Sequence, residues 1–110
     1  MDEIRLLTFL IDGCDQAIFP DDWSAQLVVA DMDDGGMGSL RLSCREYETI
    51  PRVFGECASV CQFSDEDGIR VVASLYLDRH LGLFELDIWK TDFSPLRWIP
   101  SDTGALQRMS

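Results

Sequence analysis

The sequence is poor in basic residues. Lysine and arginine together number 9 against 20 aspartates and glutamates, so the formal net charge is −11. A chain this acidic repels phosphate groups, and we expect no direct binding to nucleic acid or to an anionic membrane. Residues 1–34 alone hold nine acids and one base. A basic protein partner would be attracted to such a chain, although solubility alone would also explain the charge.

Long apolar runs are also missing. No stretch of 18 apolar residues occurs, which argues against a membrane-spanning helix. The chain opens on Asp2 and Glu3 rather than on a basic segment, so we do not expect a secretory signal. These absences predict a cytoplasmic protein.

Cysteine and histidine do not form a metal-binding pattern. The four cysteines, Cys14, Cys44, Cys57 and Cys61, contain no C-x-x-C pair, and the single histidine is His80. A structural zinc site needs four such ligands at characteristic spacings. We therefore expect buried structural thiols, no metal and no cofactor.

Groups suited to catalysis are sparse. A nucleophile needs an adjacent base, and His80 falls in a predicted hairpin turn. Glu85 and Asp87 share one face of a predicted strand, roughly 7 Å apart by strand geometry. That spacing suits acid–base chemistry, yet a solvated strand shows the same pattern. We expect a protein that is not an enzyme; the alternative is a small-ligand protein or hydrolase-like enzyme using Asp31, Glu85 and Asp87.

Hydrophobic periodicity predicts one helix followed by strands. Ile4, Leu7, Leu10 and Ile11 recur at helical spacing, which predicts a helix over residues 2–13 with Gly13 as its cap. Beyond residue 25 the apolar residues alternate instead. The strands are expected at residues 26–32, 37–44, 54–63, 69–78 and 81–90.

This order of elements predicts an α+β fold. We expect the N-terminal helix to pack on one face of a largely antiparallel five-stranded sheet. Residues 1–100 would form one globular domain, and residues 101–110 a flexible tail.

Alternation restricts the strand register, because a slip of one residue would bury a polar face. The allowed register places Leu75 opposite Phe84, and Cys61 opposite Val71. Cys57 and Cys61 would then both point into the core. The opposite face would carry Glu85 and Asp87 beside Val60, Val72, Tyr76 and Trp89. That mixture suits protein binding or a homo-oligomer contact, unless the segment "SPLRWIP" covers it.

The segment "DMDDGGMGSL" at residues 31–40 concentrates charge and glycine. An EF-hand is excluded, because Gly35 and Leu42 stand where the loop needs ligands. A phosphate loop is excluded too, because no lysine is near and a strand follows.

A hairpin turn remains for this segment. It would be centred on Asp34 and Gly35, or on Gly35 and Gly36, and the first choice places Val29 opposite Leu40. Asp31 would lie at the edge of the core and accept hydrogen bonds from nearby backbone amides. The predicted structural turn residues are Asp31, Gly35, Gly36 and Gly38.

Two blocks of the sequence resemble a known family. They are "DMDDGGMGSL" at residues 31–40 and "ELDIWKTDFSPL" at residues 85–96. Both resemble blocks of a family of small bacterial proteins classed as a domain of unknown function. The matching residues are Asp31, Met32, Asp34, Gly35, Gly36, Met37, Gly38, Ser39, Trp89, Lys90, Asp92, Phe93, Ser94, Pro95 and Leu96. The resemblance implies no activity, and the chain is similar to bacterial immunity proteins in size and charge only.

The second block has two interpretations. Asp92 or Ser94 can hydrogen-bond local amides while Pro95 ends the strand, which would make the block a structural turn. Alternatively, Trp89, Asp92 and Trp98 form a recognition patch, because exposed tryptophan is favoured at protein interfaces.

Together these patterns predict a non-catalytic acidic binding protein. In its most specific form it is an immunity-type inhibitor of a basic bacterial toxin. The alternatives are the enzyme above and a structural homo-oligomer subunit such as a homodimer. The candidate partner-binding residues are Asp21, Asp22, Asp33, Asp34, Glu85, Asp87, Trp89, Asp92 and Trp98.

Overall fold

The computed structural model describes residues 2–13, 27–32, 38–44, 53–79, 82–100 and 103–109. These contain one helix, six strands and a short 3-10 turn, so the α+β prediction is confirmed. Helix α1 spans Asp2–Asp12, and the strands are β1 Leu27–Asp31, β2 Leu40–Cys44, β3 Phe54–Ser64, β4 Arg70–Asp78, β5 Leu83–Lys90 and β6 Gln107–Met109. The 3-10 turn spans Thr103–Ala105.

The strands form one antiparallel sheet in the order β1-β2-β5-β4-β3-β6. The predicted count of five strands was wrong, because β6 adds a sixth beside β3, with Val60 opposite Met109. This strand lies in the segment predicted as a tail. Its three residues, Gln107–Met109, are too few to show an alternating pattern, and its partner is distant in the sequence.

Helix α1 packs on one face of the sheet, against β3 and β4. Leu6, Leu7 and Leu10 are fully buried there, which fits the helical spacing of its apolar residues. Gly13 follows the helix, and a Cβ on it would collide with the guanidinium of Arg108. That guanidinium donates to the carbonyl of Phe9 at 3.1 Å and lies 4.2 Å from the centre of the Phe9 ring. A cation is favourable at the helix C-terminus, so β6 and α1 stabilise each other.

The core lies between α1 and the sheet. Its buried residues come from the helix, from the inward-facing rows of the four strands β2 to β5 and from the C-terminal segment. They are Leu6, Leu7, Leu10, Leu40, Leu42, Cys61, Phe63, Val71, Ala73, Leu75, Leu77, Leu83, Leu86, Ile88, Ile99 and Leu106. Cys61 is fully buried, as predicted. Cys57 is exposed, which corrects the prediction for that thiol. The register shifts between Cys57 and Ser59, and this irregularity turns Cys57 out of the core row.

The registers of the β3–β4 and β4–β5 hairpins differ from prediction by two residues, and most of the predicted core residues stay buried. Leu75 lies opposite Leu86 rather than Phe84, and a bulge near Tyr76 brings Leu83 into the core instead of Phe84. Cys61 lies opposite Ala73 rather than Val71. The reason is that alternation fixes only which face is buried, and a shift of two residues preserves it.

The β1–β2 hairpin has the register expected for the alternative turn position, on Gly35 and Gly36. Val29 lies opposite Leu42 and Asp31 opposite Leu40, a pairing centred between residues 35 and 36. Asp31 ends the inward-facing row of β1, opposite Leu40, and its side chain is exposed there. Residues 33–37, whose amides were expected to bind it, lie outside the described residues.

Gly38 and Ser39 join the two blocks that carry the family resemblance. Ser39 is buried, and its Oγ accepts from the amide of Ile88 at 2.8 Å. The same Oγ lies 3.3 Å from the Ile88 carbonyl and 3.3 Å from an Asp87 carboxylate oxygen. Gly38 has φ of 95°, and a Cβ there would lie 3.2 Å from the side chain of Leu96. The first block therefore packs directly on the second.

Replacing Gly38 by alanine should destabilise the fold more than the same change at Gly68. Both glycines have positive φ, but a Cβ on Gly68 meets nothing within 4 Å. We expect Gly68→Ala to lower the free energy of unfolding by about 1–2 kcal/mol from backbone strain. Gly38→Ala should cost about 1–3 kcal/mol more, because Leu96 must move. Urea denaturation measures both, and equal losses would contradict the packing of the two blocks.

Candidate functional site

The sheet face opposite α1, which we call the outer face, carries acids and aromatic rings. Along β5, Glu85 and Asp87 are half-buried, and Trp89 is 42% exposed. Cross-strand partners share a face, so Tyr76 lies beside Glu85 and Ser74 beside Asp87. The strand thus alternates between core residues and a row of chemically mixed residues that face outward.

The acids give this face a negative potential, which raises the pKa of neighbouring side chains. Partial burial raises the pKa of the Tyr76 phenol, and the nearby Asp87 charge raises it further. Cys57 lies opposite Tyr76, and the pKa of its thiol is also raised. Burial is the largest cause and the Asp87 charge adds to it, while a hydrogen bond with the Ser59 backbone acts in the opposite direction. A reactive cysteine usually has a lowered pKa, so the raised pKa of Cys57 does not favour a nucleophilic role.

Two groups of aromatic side chains flank the acids. At one end, Phe54 is 51% exposed, with its ring 5.5 Å from that of Tyr76 and 6.4 Å from that of Phe84. At the other end, the rings of Trp89 and Phe93 lie 6.2 Å apart at 56°, and Phe93 is 68% exposed. Aromatic rings therefore remain accessible on both sides of Glu85 and Asp87.

The other candidate residues are placed less favourably or fall outside the description. Asp92 is exposed, and its carboxylate accepts from the Ser94 amide at 3.0 Å and from the Ser94 hydroxyl at 2.6 Å, which together lower its pKa. Trp98 is exposed beside the buried Ile99. The remaining predictions lie outside the described residues: Asp21, Asp22, Asp33, Asp34, Gly35, Gly36, His80, Cys14 and the side chain of Cys44.

Asp31 does not join Glu85 and Asp87. The register runs from Asp31 to Leu40 and on to Leu86, a core residue, so Asp31 belongs to the inner face. Glu85 and Asp87 alternate with Leu86 and belong to the outer face. The sheet therefore separates the three carboxylates that the enzyme alternative would need together.

Within the described residues, no group of three or more His, Cys, Asp or Glu side chains is placed to hold a metal ion. The described helices include none that is long and apolar enough to cross a membrane.

A buried ion cluster, which the sequence reasoning missed, supports one end of the outer face. Lys90 is the only lysine in the chain, and it is fully buried at the end of β5. Its Nζ lies 2.8 Å from Asp65 and 2.6 Å from Asp67, both in the turn between β3 and β4. Nζ also donates to the carbonyl of Pro95 at 3.2 Å.

The cluster keeps all three groups charged. Burial alone would lower the pKa of Lys90, but hydrogen bonds to Asp65 and Asp67 outweigh it and raise the pKa above its ordinary value. Burial likewise opposes ionisation of Asp65, yet Lys90 and the amides of Arg97 and Glu66 hold its pKa below the usual range. For Asp67, the hydrogen bond from Lys90 is the largest cause of a lowered pKa.

The cluster also fixes the chain after β5. The Lys90 carbonyl accepts from the Phe93 amide at 2.8 Å, while the Lys90 ammonium binds the Pro95 carbonyl. Farther along, the Arg97 amide donates to Asp65 at 2.9 Å. The turn that carries Phe93 is thereby tied to the β3–β4 turn.

A sequence signal for this cluster does exist. Lys90 has the same alternation as Leu86 and Ile88, so its position in β5 predicts that it points into the core. A lysine there needs a carboxylate partner. The acidic turn "SDEDG" at residues 64–68 supplies two.

These features define a class of protein by architecture: a small α+β domain with an antiparallel sheet, a helix on one face and an acidic, aromatic surface on the other. The chain belongs to the family named domain of unknown function DUF6984, which it matches over residues 1–100. The match confirms the resemblance to a domain-of-unknown-function family. No curated protein and no solved structure shows significant similarity to the chain.

Removing the buried carboxylate of Asp65 should destabilise the protein. Asp65→Asn deprives Lys90 of a charged partner, and we expect the free energy of unfolding to fall by about 2–3 kcal/mol. The matched control is Glu66→Gln, which removes the same charge from the exposed neighbouring residue. That change should stay within about 0.5 kcal/mol. Urea denaturation compares the two, and similar midpoints would show that the cluster contributes little.

Proposed function

We propose that the protein binds a basic protein partner through the outer face of its sheet. One observation carries this proposal: Glu85 and Asp87 lie between two groups of accessible aromatic rings. Aromatic residues are enriched in protein interfaces and tryptophan in their hot spots, and carboxylates among them select for cations.

The exposure of the aromatic rings supports the proposal. Phe54, Trp89 and Phe93 keep between 42% and 68% of their surface in water. Each exposed ring forgoes the free energy that burial would provide, roughly 25 cal/mol for every Å² of apolar surface. A partner that covers these rings would recover that free energy, which gives the surface a reason to bind.

The charge of the chain supports a basic partner. A net charge of −11 attracts cations over long distances and increases the rate of encounter. Glu85 and Asp87 are half-buried already, so a partner's arginine or lysine would complete the removal of water around them.

The same charge disfavours a homodimer formed through this face. Two copies would bring Glu85 and Asp87 of one chain near those of the other, and like charges at an interface are unfavourable. Sizing chromatography checks this, because a dimer broken by mutation of the outer face would favour self-association over a partner.

An immunity-type inhibitor is the specific form of the proposal. Such a protein would cover a basic surface of a bacterial toxin and thereby block it. Co-expression tests this form directly: the chain should protect cells from a toxin encoded beside it, and a variant with a charge-reversed outer face should not.

Reversing the outer-face charges should weaken binding of the partner. We would capture the partner with the native chain from cells that express it, purify it and measure Kd by calorimetry. We expect Glu85→Lys with Asp87→Lys to raise Kd by about tenfold or more, because each lysine repels a basic surface. Kd for the native chain should also rise with ionic strength.

The matched control changes the same amount of charge elsewhere. Asp12→Lys with Glu66→Lys alters exposed acids at the end of α1 and in the β3–β4 turn. This variant should raise Kd by less than about threefold, since only the long-range attraction is reduced. A tight, salt-insensitive complex with a neutral or acidic protein would overturn the proposal.

A further inference from the structure

Phe93 adopts a backbone conformation that its side chain does not favour. Its φ is 63°, in the left-handed region, and among the described residues it is the one non-glycine with positive φ. That conformation costs roughly 1–2 kcal/mol relative to glycine. Phe93 is also 68% exposed, so its ring gains little from burial in the fold. Stability of the fold therefore does not account for phenylalanine at this position, and strain of this kind concentrates at functional sites.

The ring of Phe93 meets that of Trp89 in an open pair. The centroids are 6.2 Å apart and the planes are tilted by 56°, so the rings already touch and a third group does not fit between them. Both remain open to solvent on their other sides, because Trp89 is 42% exposed and Phe93 is 68% exposed. The pair offers ring faces, which attract cations through the negative charge of the π system.

A carboxylate lies next to this pair. Asp87 precedes Trp89 by two residues on β5, so both side chains project from the same face, about 7 Å apart by strand geometry. Asp87 is only half-buried, with one oxygen 3.3 Å from the Ser39 hydroxyl. A cation over the indole would therefore have a carboxylate within reach.

We propose that Trp89, Phe93 and Asp87 bind one arginine side chain of the partner. This inference rests on the proposed function and names the group that its outer face recognises. A guanidinium stacks flat on an aromatic ring while its edge hydrogen-bonds a carboxylate, whereas a lysine ammonium is a compact, strongly hydrated charge that cannot stack. A flat ring face beside a carboxylate fits the first geometry better.

The test compares three peptides of equal length: hexa-arginine, hexa-lysine and hexa-citrulline. Citrulline keeps the shape of arginine without its charge. Binding is followed by NMR on the ¹⁵N-labelled native chain through the indole resonance of Trp89, identified by its loss in Trp89→Leu. Hexa-arginine should bind tightest and shift that resonance, hexa-lysine should bind more weakly with little shift, and hexa-citrulline should not bind.

Variants separate recognition from folding. Trp89→Leu and Phe93→Asn should each weaken hexa-arginine binding by about 5- to 30-fold, the range expected for a partly desolvated cation–π contact. Phe93→Tyr keeps the ring and should keep the affinity. Val29→Ala, which shortens an exposed apolar side chain on β1, should also leave the affinity unchanged. Asparagine tolerates positive φ, so Phe93→Asn should unfold in urea no earlier than the native chain.

Several results would overturn the inference. Equal affinity for hexa-arginine and hexa-lysine would show that the pair of rings does not select arginine. Unchanged hexa-arginine binding in Trp89→Leu and Phe93→Asn would show the same. If the peptides failed in this way but Glu85→Lys with Asp87→Lys still weakened binding of the captured partner, the proposed function would stand without the arginine site. No binding of hexa-arginine to the native chain would also overturn the inference, while the captured partner tests the proposed function separately.

Discussion

The buried ammonium of Lys90 is the constraint on which the rest of the structure depends. Its charge is removed from water and is compensated by Asp65, Asp67 and the carbonyl of Pro95. An uncompensated ammonium at this depth would be strongly unfavourable, so the β3–β4 turn and the segment after β5 must meet there. The single lysine of the chain thereby fixes two connections that hydrophobic packing alone would leave free to vary.

The same constraint shapes the outer face. Strand β5 alternates strictly at its end: Lys90 points inward to the carboxylates and Trp89 points outward to solvent. The hydrogen bond from the Phe93 amide to the Lys90 carbonyl closes the turn that brings the Phe93 ring to the indole. A surface ordered in this way loses less conformational entropy when a partner binds, which favours recognition by a small number of side chains.

Alternation of apolar residues predicted the helix, the five longer strands and most of the buried rows of β2 to β5, because burial follows directly from side-chain polarity. It did not hold for β1, where Val29 is 48% exposed. It could not fix the register: Leu75 meets Leu86 instead of Phe84 because a bulge depends on backbone geometry that alternation does not encode. Cys57 left the core row for the same reason. At the candidate site, alternation correctly placed Glu85, Asp87 and Trp89 on the outward row. It could not predict the Trp89–Phe93 contact, because that contact depends on a positive φ at Phe93, which is unusual for phenylalanine.

The protonation of Lys90 tests this account most directly. Because the chain has one lysine, labelling with ¹⁵N-lysine gives a single side-chain NMR signal whose pH titration reports its pKa. The account predicts a pKa above the ordinary 10.5, so the cluster contributes its full stability below that pH and loses it as pH rises through the folded-state pKa. Asp65→Asn should move the titration downward. A native Lys90 that titrates at or below 10.5, unaffected by Asp65→Asn, would contradict the account.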